Sequence, residues 1–183
     1  MRPLVTARLL LAPLTVEDAP AIQSAFPKWE IVRWLDTTIP WPYPNDGAES
    51  FLKNVVLPAM QSGVEWHWSI RPRDQSDALI GVISLRDKAN DNRGFWLDLD
   101  WQGRGLMTEA SNTVTDFWFE TLGRDVLRVP KAVHNHASRR ISEKQGMRVV
   151  SCFQKPLLSG VHDMELWEIG RDEWYDHSRP SGT

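Results

Sequence analysis

Two glycines one residue apart, Gly103 and Gly105, separate a strand-like segment from a long amphipathic one. Apolar residues alternate with polar or aromatic ones over residues 95 to 100, which is the period of a β-strand. From Leu106 the apolar residues recur at helical spacing as far as Gly123. The first amides of a helix lack internal partners and carry the positive end of its dipole. This strand, turn and helix therefore predict a seat for a phosphate or pyrophosphate.

A second set of polar residues falls on one face of a helix predicted over residues 135 to 145. Asn135, Ser138 and Ser142 are spaced i, i+3 and i+7, so they form one polar stripe. Such a stripe suits one wall of a functional site, but a solvated helix face has the same pattern. Asn135 is also a good helix-capping residue, and both roles are compatible.

The elements that must position these residues follow from periodicity and from turn residues. Strands are predicted at residues 8–13, 66–70, 79–85, 95–99, 126–133, 147–153 and 162–169. Helices are predicted after residue 18, at 29–35, after residue 45, from 106 to about 123, and at 135–145. Prolines at alternate positions in residues 39–47 exclude a central strand and predict an ordered aromatic loop. The order of elements describes an α+β fold with a mixed, mostly antiparallel sheet flanked by helices.

Two of the helices have apolar faces that are predicted to be buried. The face of the long helix comprises Leu106, Met107, Ala110, Val114, Phe117, Trp118 and Thr121. The face of the helix after residue 45 comprises Ala48, Phe51, Leu52, Val55, Val56 and Ala59.

Length and composition narrow the class of protein. The 183 residues predict one domain, residues 1–183, with a frayed tail at 178–183. The 21 basic and 24 acidic residues are well mixed, for a net charge of −3, so neither nucleic acid nor an anionic membrane is an expected partner. The single cysteine, Cys152, excludes an internal disulfide, fits a reducing compartment and is expected in the core. Without a membrane-length apolar stretch or a signal-peptide pattern, the sequence predicts a cytoplasmic protein.

Three segments carry a resemblance to a known family. QGRGLM, residues 102 to 107, follows the strand FWLDL and resembles the coenzyme A signature of the GNAT N-acetyltransferases, Q/R-x-x-G-x-G/A. VHNHASRRISEKQGM, residues 133 to 147, resembles that family's N-x-x-S helix, which ends in Gly-Phe. The opening VTARLLLAPLTVEDA is similar to the RimJ/RimL branch, whose members acetylate protein N-termini. Each motif is weak alone and fairly specific in this order, and together they imply a GNAT-type fold.

The resemblance implies acetyl-coenzyme A as the cosubstrate and no metal. Backbone groups of Leu97, Asp98 and Leu99 would hold the pantetheine arm like an added strand, and one amide there would polarise the thioester carbonyl. Asn135 would contact the pantetheine. Met107 departs from the signature, which has a small residue there, so its side chain is expected to point away from the phosphates. The turn that would bind the pyrophosphate comprises Gln102, Gly103, Arg104, Gly105, Leu106 and Met107.

The resemblance also marks candidate catalytic residues. Many GNAT enzymes have a tyrosine four residues before the helix-ending glycine, where it protonates the leaving thiolate. Ser142 holds that position here, and a hydroxyl or water suffices for a thiol with a pKa of about 8.5. Asp163 is the candidate base or ammonium partner, with Glu65 and His162 as further candidates. Lone acids and histidines are more often structural or solvated.

The acceptor side is expected around the aromatic loop. Trp34, Trp41 and Tyr43, with Trp29, fall where the family builds its acceptor groove. They predict either an aromatic-walled groove for a peptide or hydrophobic amine, or a second small core beneath the loop. The expected function is direct transfer of acetyl to a primary amine, with a protein or peptide N-terminus as the first choice. The alternatives are a small-molecule amine, such as an antibiotic, polyamine or amino acid, and a non-catalytic acyl-coenzyme A sensor. The sequence is compatible with a homodimer and leaves acyl chain preference open.

Overall fold

The computed structural model describes residues 1–178. Strands lie at Leu4–Val5 (β1), Leu9–Pro13 (β2), Glu65–Pro72 (β3), Gly81–Arg86 (β4), Arg93–Leu97 (β5), Val126–Ala132 (β6), Arg148–Leu157 (β7) and Gly160–Gly170 (β8). Helices lie at Ala19–Ala25 (α1), Trp29–Val32 (α2), Gly47–Phe51 (α3), Leu57–Gln61 (α4), Leu106–Asp116 (α5), His136–Lys144 (α6) and Arg171–Ser178 (α7). Two π-helical segments, Leu52–Val56 and Phe117–Thr121, continue α3 and α5. Apart from Ser178, the tail predicted at residues 178–183 lies outside the described residues.

The strands form two sheets, one in the order β1-β2-β3-β4-β5 and the other in the order β6-β8-β7. Every pairing described in them is antiparallel. The predicted α+β class, with mostly antiparallel strands and flanking helices, is therefore confirmed. The predicted central sheet is divided, because β5 and β6 are the facing edges of two hydrogen-bonded sheets. The sequence did not predict β1 or α7.

β5 and β6 meet at one end and separate beyond it. At the meeting point the Asn92 N–H donates to the Arg128 carbonyl (2.8 Å), and the Arg128 N–H donates to the Asn92 side chain (2.7 Å). On the other edge of β6, the Val133 N–H donates to Asp163 of β8 (2.9 Å), so by strand alternation residues 128, 130 and 132 turn their backbone groups towards β5. Residue 130 is proline, which has no N–H to donate. The hydrogen bonds between β5 and β6 therefore stop after Arg128, and beyond that point a gap separates the two strands.

α5 lies in a core that draws residues from both sheets. The predicted face of this helix is buried from Leu106 to Trp118, as expected. Thr121 is exposed, which contradicts its place on that face. Its turn is π-helical, since the Leu122 N–H donates to the Phe117 carbonyl five residues earlier (3.0 Å), and the wider turn rotates Thr121 away from the core.

A second core lies beneath the aromatic loop and the helical region from α3 to α4. Ala48, Leu52 and Val56 are buried in it at a spacing of four residues. Phe51 and Val55 were predicted to join them but are 51% and 48% exposed. The π-helical segment at residues 52–56 leaves one narrow stripe against the core, and these two side chains fall outside it. Cys152 was also predicted in the core and is exposed, on the outer strand β7.

Candidate functional site

The corner between β5 and α5 has the backbone geometry expected of a phosphate seat. Gly103 and Gly105 have φ angles of 75° and 76°, in the left-handed region that side chains disfavour, and Gly105 caps α5. A Cβ placed on Gly103 would meet nothing within 4 Å, so the turn is open on that side. The Leu106 and Met107 side chains are buried, which directs them away from the open side. The unpartnered amides at the start of α5 therefore lie at an open corner.

Two arginines add positive charge to this corner. Arg8, from the loop before β2, donates from Nη1 to the Arg104 carbonyl (3.0 Å), and its Nη2 lies 3.7 Å from where a Cβ on Gly105 would be. Arg104 lies over the Trp101 ring, 5.1 Å from its centroid. Arg8 also pairs with Glu109 (2.7 Å), which neutralises the acid in the first turn of α5. Arg104 is part of the turn predicted from the sequence. Arg8 was not predicted, because it lies far from that turn in the chain.

One backbone donor of β5 is directed into the gap. The Asp98 N–H donates to the Ile80 carbonyl (2.8 Å), so by strand alternation the N–H and C=O of Leu97 point away from β4 and towards β6. The Leu97 carbonyl accepts a hydrogen bond from Gln102 Nε2 (2.9 Å). The Leu97 N–H is thus the donor on this edge that fits the predicted contact with a thioester or pantetheine group.

Asp98 and Leu99 lie beyond the end of β5, although the sequence predicted a strand as far as residue 99. The Asp98 amide is occupied by β4, and its carboxylate pairs with Lys28 (2.5 Å), at the start of α2. Leu99 has left the strand and belongs to the 3-10 turn Leu99–Trp101. The backbone contacts predicted for residues 97 to 99 therefore reduce to Leu97 in this structure.

The opposite wall of the gap is formed by the end of β6 and the start of α6. Asn135 caps α6, with its Oδ1 accepting a hydrogen bond from the Ser138 N–H (3.2 Å). That bond uses the oxygen of Asn135, so its amide nitrogen can donate elsewhere. Because β6 ends at Ala132, Asn135 and Ser138 lie at the end where the two strands have separated. This arrangement fits the predicted contact of Asn135 with a pantetheine arm.

Ser142 lies much deeper than its predicted role requires. Its side chain is 0% exposed, and its Oγ has no hydrogen-bond partner among the described residues. Seven residues advance about 10 Å along a helix, so a residue on the same face as Asn135 lies two turns further into the protein. A hydroxyl without exposed surface cannot touch a thiolate in the gap. The burial of Ser142 therefore argues against its role as proton donor.

Asp163 and His162 lie on opposite faces of β8, because adjacent strand residues point to opposite sides. His162 faces Trp34, with 5.3 Å between ring centroids, and its Nε2 lies 2.8 Å from Ser159 Oγ. Asp163 is exposed and accepts a hydrogen bond from Gln154 Nε2 (3.0 Å). A base at Asp163 would face away from Trp34. The geometry thus argues against Asp163 and favours His162.

Glu65, a further candidate acid, has structural partners on its own sheet. Its Oε2 lies 2.7 Å from His67 Nε2, and Lys88 approaches its other oxygen at 3.5 Å. The hydrogen bond with His67 lowers the pKa of Glu65, against the effect of burial. The Glu65 carboxylate is therefore occupied by His67 and Lys88.

The aromatic residues predicted to line an acceptor groove occupy different environments. Trp41 and Trp29 are 41% and 42% exposed and lie 5.8 Å apart by ring centroid. Trp34 is half-buried against His162. Tyr43 packs on Phe26 in the second core, 5.2 Å away by ring centroid, and burial raises the pKa of its hydroxyl. Trp34 and Trp41 thus border a surface, whereas Tyr43 fits the alternative prediction of a small core.

Within residues 1–178 no group of three or more His, Cys, Asp or Glu side chains could hold a metal ion. No helix in the same range is long and apolar enough to cross a membrane.

Residues 8–148 match the family model of the Acetyltransferase (GNAT) domain. This chain therefore belongs to the GNAT acetyltransferases, as its motifs predicted, and the acetyl donor of that family is acetyl-coenzyme A. A relative in Bacillus subtilis, YdaF, which is described as a candidate ribosomal N-acetyltransferase, is 28% identical over 103 residues. The match covers 53% of this chain and 56% of that relative, so the chain spans little more than half the length of YdaF.

Solved structures share the fold over nearly the whole chain. Ribosomal-protein-S5-alanine acetyltransferase from Vibrio fischeri has a TM-score of 0.80 at 16% identity, covering 94% of this chain and 98% of that one. RimL, the ribosomal L7/L12 α-N-protein acetyltransferase in complex with coenzyme A, has a TM-score of 0.79 at 19% identity, covering 93% and 98%. Mycobacterium smegmatis RimJ in complex with coenzyme A disulfide has a TM-score of 0.78 at 16% identity, covering 95% and 85%. At these identities the likeness concerns the fold.

Proposed function

We propose that this protein transfers acetyl from acetyl-coenzyme A to the α-amine of a protein or peptide N-terminus. The observation that carries the proposal is the gap between β5 and β6, where the Leu97 N–H points outward beside the open amino end of α5. A pantetheine arm contains amides that can bond to Leu97 and Asn135. A pyrophosphate suits the first amides of α5 together with Arg8 and Arg104. Acetyl-coenzyme A held in this way supplies an acetyl group on a thioester.

The protein positions the acetyl group and stabilises the charge that develops on its oxygen. A backbone N–H aimed at such an oxygen contributes about 3 kcal/mol to catalysis in well-studied enzymes. The Leu97 N–H has the direction that this role needs. The hydrogen bond from Gln102 to the Leu97 carbonyl holds the residue in place (2.9 Å).

The acceptor amine enters from the side of α2. The ion pair between Lys28 and Asp98 ties the start of α2 to the end of β5 (2.5 Å), which brings Trp29 and its neighbours beside the gap. An N-terminal α-amine has a pKa of about 7.7 to 8.0, so part of it is neutral at pH 7 and ready to attack. Lysine, with a pKa of about 10.4, would require a strong base. The His162 imidazole lies beside Trp34, and it can accept the proton that an α-amine loses during the reaction.

The preference for a protein N-terminus also draws on the relatives. RimL and the Vibrio fischeri enzyme carry names that describe acetylation of ribosomal proteins, and they share the fold over more than 90% of this chain. A small-molecule amine and a non-catalytic acyl-coenzyme A sensor are the competing functions.

The deciding experiment measures thiol release from acetyl-coenzyme A with three sets of acceptors. The sets are peptides with free N-termini, the same peptides with blocked N-termini and an internal lysine, and small amines including a polyamine and an aminoglycoside. We expect turnover with the first set, and mass spectrometry should locate the acetyl group on the α-nitrogen. Turnover confined to the small amines would overturn the acceptor class. Coenzyme A binding without turnover on any acceptor would favour the sensor.

A further inference from the structure

Lys131 is a buried cation at the point where β5 and β6 separate. The residue is 6% exposed, and its Nζ lies 2.8 Å from Ser138 Oγ and 5.0 Å from the centroid of the Phe95 ring. Lysine is almost never buried to this extent without a carboxylate partner. Within residues 1–178, Lys131 forms no ion pair. Its contacts are one hydroxyl and one aromatic face.

The charged groups around Lys131 do not compensate its charge. Glu165 lies opposite Lys131 in the register of β6 and β8, but its carboxylate is held by Arg139 (2.8 Å) and by Trp167 Nε1 (3.0 Å). Arg93 of β5 is a second buried cation, bonded to Thr115 of α5. Burial is the main cause that places the pKa of Lys131 well below its ordinary value, with repulsion from Arg93 adding to it and Asp91 opposing it.

The position of Lys131 follows from the local topology. Asn92 and Arg128 join the two strands, and Phe95 and Lys131 each lie three residues further on. The ammonium group therefore lies between Phe95 of β5 and Ser138 of α6, beside the point where the two strands separate. Ser138, its hydrogen-bond partner, is on the wall that also carries Asn135. The Leu97 N–H faces the same gap from the other side.

Burying an unpaired cation is costly, and an apolar side chain of similar size would pack there without that cost. The reaction assigned above generates an anion in this gap, since the coenzyme A sulfur gains an electron pair when its bond to the acetyl carbon breaks. We propose that Lys131 is a catalytic residue that donates a proton from Nζ to the departing sulfur of coenzyme A. This inference rests on the proposed function.

The proton balance of the step is complete. The acceptor nitrogen forms a bond to the acetyl carbon, the carbon–sulfur bond breaks, and the Nζ proton goes to sulfur to give the free thiol. The new amide nitrogen loses one proton to water, and neutral Lys131 regains one from water, with Ser138 holding Nζ in position. Burial makes this ammonium group a stronger acid than an exposed lysine, and therefore a better proton donor. Its four-carbon stem also places Nζ beside Phe95 of β5, the strand that borders the gap, whereas Ser142 has no exposed surface.

The test compares Lys131→Met and Lys131→Arg with the wild-type protein. Methionine keeps the shape and removes the proton. Arginine keeps the charge but cannot give up a proton at these pH values. With a peptide acceptor, we expect kcat to fall by about 10² to 10³ in both variants, in the range of general acid catalysis, with little change in either KM. The wild-type kcat should fall at alkaline pH as Lys131 loses its proton, and both variants should lack that decline. Lys144→Met, on the exposed side of α6, is the matched control.

Three outcomes separate the possible roles. If Lys131→Met keeps kcat within twofold of wild type, the proposal is wrong. If Lys131→Arg restores kcat, the charge suffices and proton transfer is wrong. If the wild-type protein itself gives no turnover, the proposed function fails rather than the role of Lys131. The thermal shift with coenzyme A should persist in both variants, which shows that they fold and bind.

A stability measurement provides a second readout, which a merely structural lysine would not give. Because the pKa of Lys131 is lowered from 10.5, the folded protein binds fewer protons than the unfolded chain between that lowered pKa and 10.5, and its stability rises with pH over that interval. The burial penalty is therefore present at neutral pH and disappears as the pH rises to 10.5. We expect Lys131→Met to raise Tm at pH 7 and to raise it less at pH 10.5. A lower Tm at both pH values would indicate that Lys131 supports the fold and would overturn the argument from unpaired charge.

Discussion

The proposed coenzyme corner, residues 97 to 107, and the proposed acceptor mouth, comprising Trp29, Trp34, Trp41 and His162, are built in different ways. The corner depends on backbone groups: two positive φ angles, the first amides of α5 and one outward N–H of β5. The mouth depends on side chains that come from α2, the loops that follow it and the start of β8. A backbone site can keep its geometry while the side chains around it vary. A side-chain site changes with each substitution, so the mouth is where acceptor specificity is expected to reside.

The largest effect on ligand binding should come from Gly105→Glu in the corner. The new side chain must adopt a φ of 76° beside Arg8, and its carboxylate would face the phosphates of coenzyme A. We expect the Kd for coenzyme A to rise by about a hundredfold, or about 2.7 kcal/mol, and the ligand-induced thermal shift to vanish. Isothermal titration and thermal unfolding measure both quantities.

Gly123→Glu is the matched control for this substitution. Gly123 also has a positive φ, 66°, and open space around it, but it lies beyond the far end of the same helix. It should lose similar stability and keep its coenzyme A affinity within about twofold. Wild-type affinity in a folded Gly105→Glu protein would show that the corner is not the phosphate site.

An intermediate effect is expected in the mouth, where Trp41→Ala removes an exposed ring. Its loss should raise the KM for a peptide acceptor by about tenfold, or about 1.4 kcal/mol, and leave the KM for acetyl-coenzyme A unchanged. Steady-state kinetics with each substrate varied in turn give both values.

Tyr43→Ala sharpens the same comparison, because Tyr43 packs in the second core. Its truncation should cost about 3 kcal/mol of unfolding free energy, measured in urea, through the cavity that it leaves. If Trp41→Ala instead changes both KM values equally and lowers the melting temperature, Trp41 belongs to the core as well.

The smallest effect should come from Ser142→Ala on α6. The substitution removes a buried hydroxyl that has no hydrogen-bond partner among the described residues, so stability should stay constant or rise by about 1 kcal/mol. The kcat for peptide acetylation should stay within about twofold of wild type. A tenfold loss of kcat in a folded Ser142→Ala protein would mean that α6 moves during turnover and that the hydroxyl reaches the sulfur.

The strand, glycine turn and helix of the proposed coenzyme corner were predictable because their signals are local. The spacing of Gly103 and Gly105, the alternation before them and the helical period after them all lie within one short segment. The α+β class followed in the same way from the order of the elements. The two π-helical segments left no such signal, and they account for the errors at Thr121, Phe51 and Val55.

Outside the corner, the placement of the candidate residues depends on how deeply each side chain is buried and on which face of a sheet it lies. Ser142 shares a helical face with Asn135 but lies two turns deeper, and Asp163 is next to His162 but on the other side of β8. The sequence prediction missed Lys131, although a signal existed. Lys131 follows Leu127 and Val129 at every second residue, so all three lie on the same buried face of β6. A lysine whose position places it on the buried face of a strand is as good a candidate for a functional residue as a histidine in a cleft.

Pro130 also has a kinetic consequence. Because the edge of β6 lacks an N–H at this position, no strand ladder has to be broken before coenzyme A enters the gap. Association should then proceed in a single phase whose rate grows linearly with ligand concentration, without a plateau set by a slow opening step. The outward amide of Leu97 should likewise exchange its hydrogen with solvent readily in the free protein and become protected when the pantetheine arm arrives.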